Sequence, residues 1–410
     1  MKTILSSVVF LGLINFSYSQ NTKWLVQPII EMDEVRPFVE GLAAIEMNGK
    51  YGFINKNGVI VVPIKYSDVI WYENNVVSVK YNGKYGLLDR NGNIILPIEY
   101  DNHVVFQKGF AIIIKNGKYG LINRSGKIIV PLIYEQIVEF SEEIAFAKKD
   151  GIYSYIDRLG TTVIPPRFSE AHSFNDGLAL VTENGNKKYI DKTGKTIFFA
   201  KYNFNNQFSE GRARVISESK EWGFIDKIGN TVIPLEYEYC ENFSKGLALV
   251  KKNNKYGFID NVGKIVIPIQ FDYLSSFEND LAIAVKNHKC GVIDTNGNVV
   301  VPFEYDKVWG FGKEGFSLVK KNEKRGIIDR TGKIILPVEY DEGTNYNEGT
   351  DGFLNGLAHI AKNGKHGFID KSGEFVIPLM YEDARNFSDG VVWVKKGGKW
   401  GILSVKLDKK

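Results

Sequence analysis

Five histidines stand at His103, His172, His288, His359 and His366, and only the last two lie close enough in sequence to share a reaction or a metal. They flank Asn363-Gly364, a dipeptide that turns a two-residue hairpin. Pairing about that turn sets His366 opposite Ala361 and His359 opposite Phe368, so the two are not direct cross-strand neighbours. A zinc site there would need further ligands that the sequence does not supply. Asp294-Thr295-Asn296-Gly297-Asn298, with a near match from Asp89, carries oxygen ligands at alternate positions, as part of a calcium loop would. The same register elsewhere holds ordinary turn residues, so turn chemistry accounts for both segments. There is no Gly-x-Ser-x-Gly elbow, Walker loop or dinucleotide fingerprint in a strand-to-helix context. The expectation is a protein that is not an enzyme, with no catalytic, cofactor-binding or metal-binding residues and no cofactor.

Two charged groups are candidates for binding instead. One is the segment 341–352, where Asp341, Glu342, Tyr346, Glu348 and Asp351 gather four acids and an aromatic, without the acid spacing of an EF-hand. The other is a basic row at Lys56, Arg90, Arg124, Arg158, Lys192, Lys227, Arg330 and Lys371. A second basic column runs through Lys50, Lys84, Lys118, Lys255, Lys289, Lys324, Lys365 and Lys399, and an acidic one through Asp101, Glu135, Glu238, Asp272, Asp306, Asp341 and Glu382.

A repeat sets the spacing of these columns. Aligned on Gly52, equivalent positions fall at Gly86, Gly120, Ser154, Lys188, Gly223, Gly257, Gly291, Gly326, Gly367 and Gly401, 34 or 35 residues apart except for one interval of 41. A fixed period of this size marks a stacked or circular array. Asn-Gly turns such as Asn48-Gly49, Asn82-Gly83 and Asn116-Gly117, set between runs of Val, Ile, Tyr and Phe, favour hairpins over helices. A second Gly follows six residues after each key position, with Asp or Asn three residues before it, and together they describe a four-residue turn. One unit therefore reads as three strands, in the fifth copy near 178–181, 188–190 and 196–198. Pro at offset eleven in nine units lacks an N–H and is expected to close the third strand. Aromatics such as Phe174 and Phe243, near offset twenty, are expected in the core. The fourth and fifth units drift: Ser154 and Lys188 replace the key Gly, and Phe198-Phe199 stand where Ile-Pro is usual.

A single unit buries too little surface to fold alone, so each depends on its neighbours. The expected fold is all-β: about eleven three-stranded antiparallel meander units in an open curved or superhelical array. The alternative is a closed propeller-like ring.

The unit Gly49-Lys50-Tyr51-Gly52-Phe53-Ile54-Asn55-Lys56-Asn57-Gly58, continuing to Pro63, resembles the bacterial WG repeat proteins. The literal Trp-Gly pair occurs at Trp222-Gly223 and Trp400-Gly401. Elsewhere the aromatic slot holds Tyr51, Tyr85, Tyr119, Tyr153 and Tyr256, or departs to Lys187, Cys290, Arg325 and His366. The resemblance covers roughly 35–405. It implies a β-repeat fold and extracytoplasmic or interaction modules without a shared catalytic site.

Residues 1–19 combine a basic start, a short apolar run and small residues before Gln20, the pattern of a secretory signal peptide. The division expected is 1–19 signal peptide, 20–34 lead-in, 35–405 repeat domain and 406–410 tail. No later stretch is long and apolar enough to span a membrane. Localisation is therefore expected to be periplasmic, cell-surface or secreted. Cys240 and Cys290 occupy different repeat positions and read as separate thiols. Near balance between 52 basic and 48 acidic residues argues against nucleic acid. The expected role is a non-catalytic binding or scaffold protein with a protein partner. The alternative is a surface polysaccharide binder that stacks sugars on Tyr51, Tyr85, Tyr119 and Trp222, and an unrecognised hydrolase ranks last.

Overall fold

The computed structural model describes residues 22–72, 76–202, 204–341 and 352–407. These residues form eleven separate four-stranded antiparallel sheets and no helix. The sheets stack side by side as the blades of a closed β-propeller ring, which is the alternative arrangement rather than the open array. Blades 1 to 10 comprise 34–66, 68–100, 106–134, 136–168, 170–199, 204–237, 239–271, 273–305, 307–340 and 353–381. Blade 11 combines 383–405 with Thr22–Ile30, which pairs antiparallel with Lys399–Val405 as the fourth strand. The segment read as a lead-in is thus the closing strand, and its outward and inward side chains alternate along its whole length.

Each blade has four strands where three were expected. The extra one is often only two residues long, such as Glu34–Val35 or Tyr239–Cys240, and lies within what looked like a long connection. The second and third strands meet at the Asn-Gly hairpin, where Asn48 (φ 53°) and Gly49 (φ 69°) both take the left-handed conformation of a type I′ turn. The next turn is built by an aspartate: Asp226 Oδ1 accepts the Ile228 and Asn230 N–H groups at 3.1 and 2.8 Å, and Gly229 closes it at φ 86°.

The key glycine has a steric reason. A Cβ at Gly257 would stand 2.6 Å from the Ile267 carbonyl oxygen and 2.8 Å from the Ile269 Cα. The fourth strand, Ile265–Phe271, bulges across this point, its register shifting between Tyr256 and Phe258. Pro268 sits in the middle of that strand on the free edge and is exposed, so the proline guards the edge rather than ending the strand. Blade 4 accommodates Ser154 at the glycine position, so the cost of a Cβ depends on how far the fourth strand can yield. Gly257→Ala is expected to destabilise by about 2 kcal/mol, read from the denaturant midpoint.

The core lies between blades. Phe224, Ile233 and Tyr237 of blade 6 pack with Cys240, Phe243, Ala248 and Val250 of blade 7. The same contact closes the ring: Val35, Phe38 and Ala43 of blade 1 bury against Val391, Trp393 and Trp400 of blade 11. Phe38 stacks on Trp393 at 5.4 Å, and the Trp393 indole N–H donates to the Arg36 carbonyl at 3.1 Å.

Candidate functional site

The charge columns face one another across the blade junctions. Lys84 of blade 2 donates to Asp101, and the other carboxylate oxygen of Asp101 accepts the Gly117 N–H from the hairpin of blade 3 at 3.2 Å. Lys255–Asp272, Lys289–Asp306 and Lys324–Asp341 repeat this link, with Asn287, Asn322 and Asn363 donating the backbone N–H. The lysine hydrogen bond is the main cause that holds Asp101, Asp272, Asp306 and Asp341 below the ordinary carboxylate range, with the turn N–H adding to it. At ring closure Glu31 takes the acid's role, meeting Lys399 at 2.7 Å, while Asp33 accepts the Asn48 N–H at 2.6 Å.

The basic row forms a second set of links. Lys56 meets Asp389 at 2.9 Å across the closing junction, Lys192 meets Glu142 at 2.9 Å and Lys371 meets Glu314 at 3.1 Å, whereas Arg158 meets Glu143 of its own blade at 3.0 Å and donates to the Lys108 carbonyl of the preceding one at 3.4 Å. Lys227 donates to the Asp176 carbonyl at 2.8 Å, and Arg330 donates to the Asn279 carbonyl. Arg90 lies against Gly41, and Arg124 is exposed at the same turn. The acidic residues they meet also accept N–H groups from the next blade: Asp389 takes that of Gly41 at 2.6 Å, Asp176 that of Gly211 at 2.6 Å, and Glu314 that of Gly356 at 3.1 Å. Three of the eight charges in the row thus meet an acid of the preceding blade, and three more donate to its backbone carbonyls. Much of the row serves inter-blade fastening, which weakens the argument for it as an anion-collecting rim.

The aromatic slot is occupied by neighbours as well. Lys80 stands over Tyr85 at 4.9 Å, Lys148 over Tyr153 at 5.2 Å and Arg214 over Trp222 at 5.5 Å. Ring edges from the next blade complete the packing, as Tyr239 does against Trp222. The polysaccharide alternative relied on open ring faces, and those of Tyr51, Tyr85 and Trp222 carry cations.

His359 and His366 follow the expected register, opposite Phe368 and Ala361. Their side chains nevertheless meet on the diagonal, with Nε2 of His359 and Nδ1 of His366 2.9 Å apart and both rings buried. Burial pushes the His359 imidazole down to about 3, with His366 and Arg385 adding to the effect. Burial also lowers His366. No group of three or more metal-ligating side chains occurs among the described residues. Cys240 and Cys290 are free thiols, and burial raises both.

Of the insertion, Asp341 is described and serves the Lys324 link. Glu342, Tyr346, Glu348 and Asp351 lie outside the described residues, as do 1–21 with the signal-peptide pattern. The inter-blade links have a signal in the sequence that the separate columns hide: Lys84 and Asp101, Lys255 and Asp272, Lys289 and Asp306, and Lys324 and Asp341 are each 17 residues apart.

The fold and its links define a propeller of eleven repeats in which charged side chains and turn N–H groups fasten each blade to the next. The model of the WG containing repeat matches eleven consecutive stretches from 20–51 to 367–400, and the chain belongs to this family. A search of curated proteins gave no match. Among solved structures, BamB from Moraxella catarrhalis is similar at 13% identity over 67% of this chain and 96% of that one, with a TM-score of 0.32. A eukaryotic initiation factor matches at 10% identity over 73% and 96%, with a TM-score of 0.44. PorZ, a surface component of the type-IX secretion system of Porphyromonas gingivalis, matches at 11% identity over 93% and 65%, with a TM-score of 0.22. At these scores none of the three bears on function.

Proposed function

We propose that this chain is a non-catalytic, exported interaction scaffold whose ring presents eleven blades to a protein partner. One observation carries the reading: the recurring Lys–Asp pairs, whose aspartates accept a hairpin N–H of the next blade, are taken up in fastening blade to blade. Recognition then falls to the places where one blade departs from the others. The insertion between blades 9 and 10 is one such place, because per-repeat insertions in arrays collect on one face and often bind. Export rests on the pattern of residues 1–19.

The test is capture. Immobilised 20–410 is exposed to the envelope fraction of the producing cell, with and without residues 342–351, and retained protein and glycan are identified. The expected result is retention of protein that survives moderate salt. Retention of polysaccharide alone, lost with salt, would replace the protein-scaffold reading with the glycan one. Mass spectrometry of the exported chain should give a mature start at Gln20, and an uncleaved chain in the cytoplasm would remove the export claim.

A further inference from the structure

Blade 5 departs from its neighbours at its free edge. In blades 1 to 4 and 6 to 10 the fourth strand is seven residues long, carries Pro at offset eleven and bulges over the key position. In blade 11 the edge is the closing strand, which carries Pro28 and two register shifts. Bulges and edge prolines are the usual means by which a sheet avoids pairing with another chain. Blade 5 has neither at this point. Its fourth strand is Thr196–Phe199, and Lys188 pairs with Phe199 and Tyr189 with Phe198 without a shift between them, the one shift of this pair falling further back, between Tyr189 and Ile190. The loss of the bulge explains how Lys188 can stand where glycine is otherwise needed: no strand crosses over it. The two departures noted in the sequence, Lys188 for Gly and Phe199 for Pro, are thus one structural change.

The change creates a docking edge. The Ala200 N–H donates inward to the Lys187 carbonyl at 2.9 Å, so by alternation the N–H and C=O of Phe199 point away from the sheet. Pro would have removed that donor. Ile197 and Phe199 are 38% and 59% exposed. Exposed lysines flank the strand, Lys195 before it and Lys201 after it. The column of the second is mixed, since Lys65 and Arg167 in blades 1 and 4 are also basic. In blades 2, 6, 8 and 9 the equivalent residues are Glu99, Glu236, Glu304 and Glu339, which pair with Lys115, Lys252, Lys321 and Lys362 of the next blade.

We infer that the edge of blade 5 binds an extended peptide segment of a partner as an added strand, with apolar residues at alternate positions over Ile197 and Phe199 and acidic residues at both ends facing Lys195 and Lys201. Main-chain hydrogen bonds supply the affinity in this mode, while side-chain pockets and end charges supply the choice of sequence. The inference rests on the scaffold reading and names the chemistry of its partner.

The experiment uses the full mature chain and a fluorescein-labelled peptide, Asp-Glu-Val-Thr-Val-Thr-Val-Glu-Asp, followed by anisotropy. Phe199→Pro restores the residue that nine other blades carry and is expected to weaken binding by at least about tenfold. Lys195→Glu with Lys201→Glu is expected to weaken it to a similar degree at low salt. If Phe199→Pro lowers the melting midpoint, Phe199→Glu serves as the second variant, since it stands opposite Lys188, keeps the strand and repels the acidic peptide. Hydrogen exchange at the Phe199 amide should slow when peptide is bound.

Four outcomes would overturn the inference. Unchanged affinity in both Phe199 variants is the first. Equal binding of a peptide N-methylated at alternate residues, which cannot complete a strand ladder, is the second. The third is sedimentation of the chain alone as a dimer that Phe199→Pro converts to monomer, which would make the edge a contact between copies. Capture of the same protein partner by wild type and Phe199→Pro would also sink the edge while leaving the scaffold reading intact. Capture of no protein by either, with peptide binding still dependent on Phe199, would sink the scaffold reading instead.

Discussion

Removing Thr22–Ile30 is expected to abolish the closed ring. Trp24, Val26 and Ile30 pack into the clusters that join blade 11 to blades 10 and 1, and Trp24 sits edge-on to Tyr381 at 6.4 Å. Losing these three half-buried side chains costs on the order of 5 kcal/mol before the lost ladder is counted. It also leaves Lys399–Val405 as an open edge beside apolar Trp400 and Leu403. A truncated chain should aggregate, or melt about 10 °C or more below the full chain. The complementary experiment tests closure directly. Lys23 pairs with Ser404, so Lys23→Cys with Ser404→Cys places two thiols at cross-strand distance without opening the core. Oxidation should produce an intramolecular bridge, seen as faster migration on a non-reducing gel. Failure to cross-link under native conditions, with both thiols shown to be reactive, would mean that the array is open.

The second large effect concerns acid. His359 is buried beside His366 and near Arg385, and it stays neutral in the fold down to about 3, whereas an unfolded chain protonates it near 6.5. The folded value is depressed, so the unfolded state binds the extra proton first. The stability contributed by the neutral imidazole is then complete above about 6.5 and is lost as pH falls below it. At one pH unit per 1.36 kcal/mol, the loss reaches about 2 kcal/mol by pH 5 for His359 alone. Groups facing the pair include Asp383, which counters the shift at His366, and Arg385, which reinforces it at both rings. The linked carboxylates do not interfere in this window: Asp101, Asp272 and Asp306 are lowered from an already low value, so their contribution is lost only at more acid pH. The chain should lose stability steadily from pH 6.5 to 5. His359→Leu with His366→Tyr, residues found at the equivalent positions of other blades, should flatten most of that slope. Half-buried His172, also lowered by burial, accounts for what remains. An unchanged slope in the double variant would show that the pair does not set the acid limit.

These cases show what the sequence carries and what it does not. The turns were legible because each is a local device: Asn48-Gly49 and the Asp226 turn are complete within a few residues, and both formed as read. The strand around Glu34–Val35 was not legible, since two residues give no alternation to detect. Ring closure was hidden for a different reason. The rotation between blades belongs to packing between sheets, and the strand that completes the circle pairs with residues nearly four hundred positions away. The charge columns were seen, but as separate rows, because their pairing crosses from one repeat to the next. The register of His359 and His366 was correct, yet a contact through the diagonal depends on side-chain reach beyond the direct pairs.

The closing strand also orders events in time. Thr22–Ile30 leaves the ribosome early, whereas its partner Lys399–Val405 is made nearly four hundred residues later. At 5–20 residues per second that interval is on the order of 20–75 s. Successive blades can stack beforehand, but the first strand must wait, its apolar face open, until Lys399–Val405 has been made. The circle therefore cannot lock while any of the eleven blades is missing, and the presence of the last blade is built into the fold as the condition for closure.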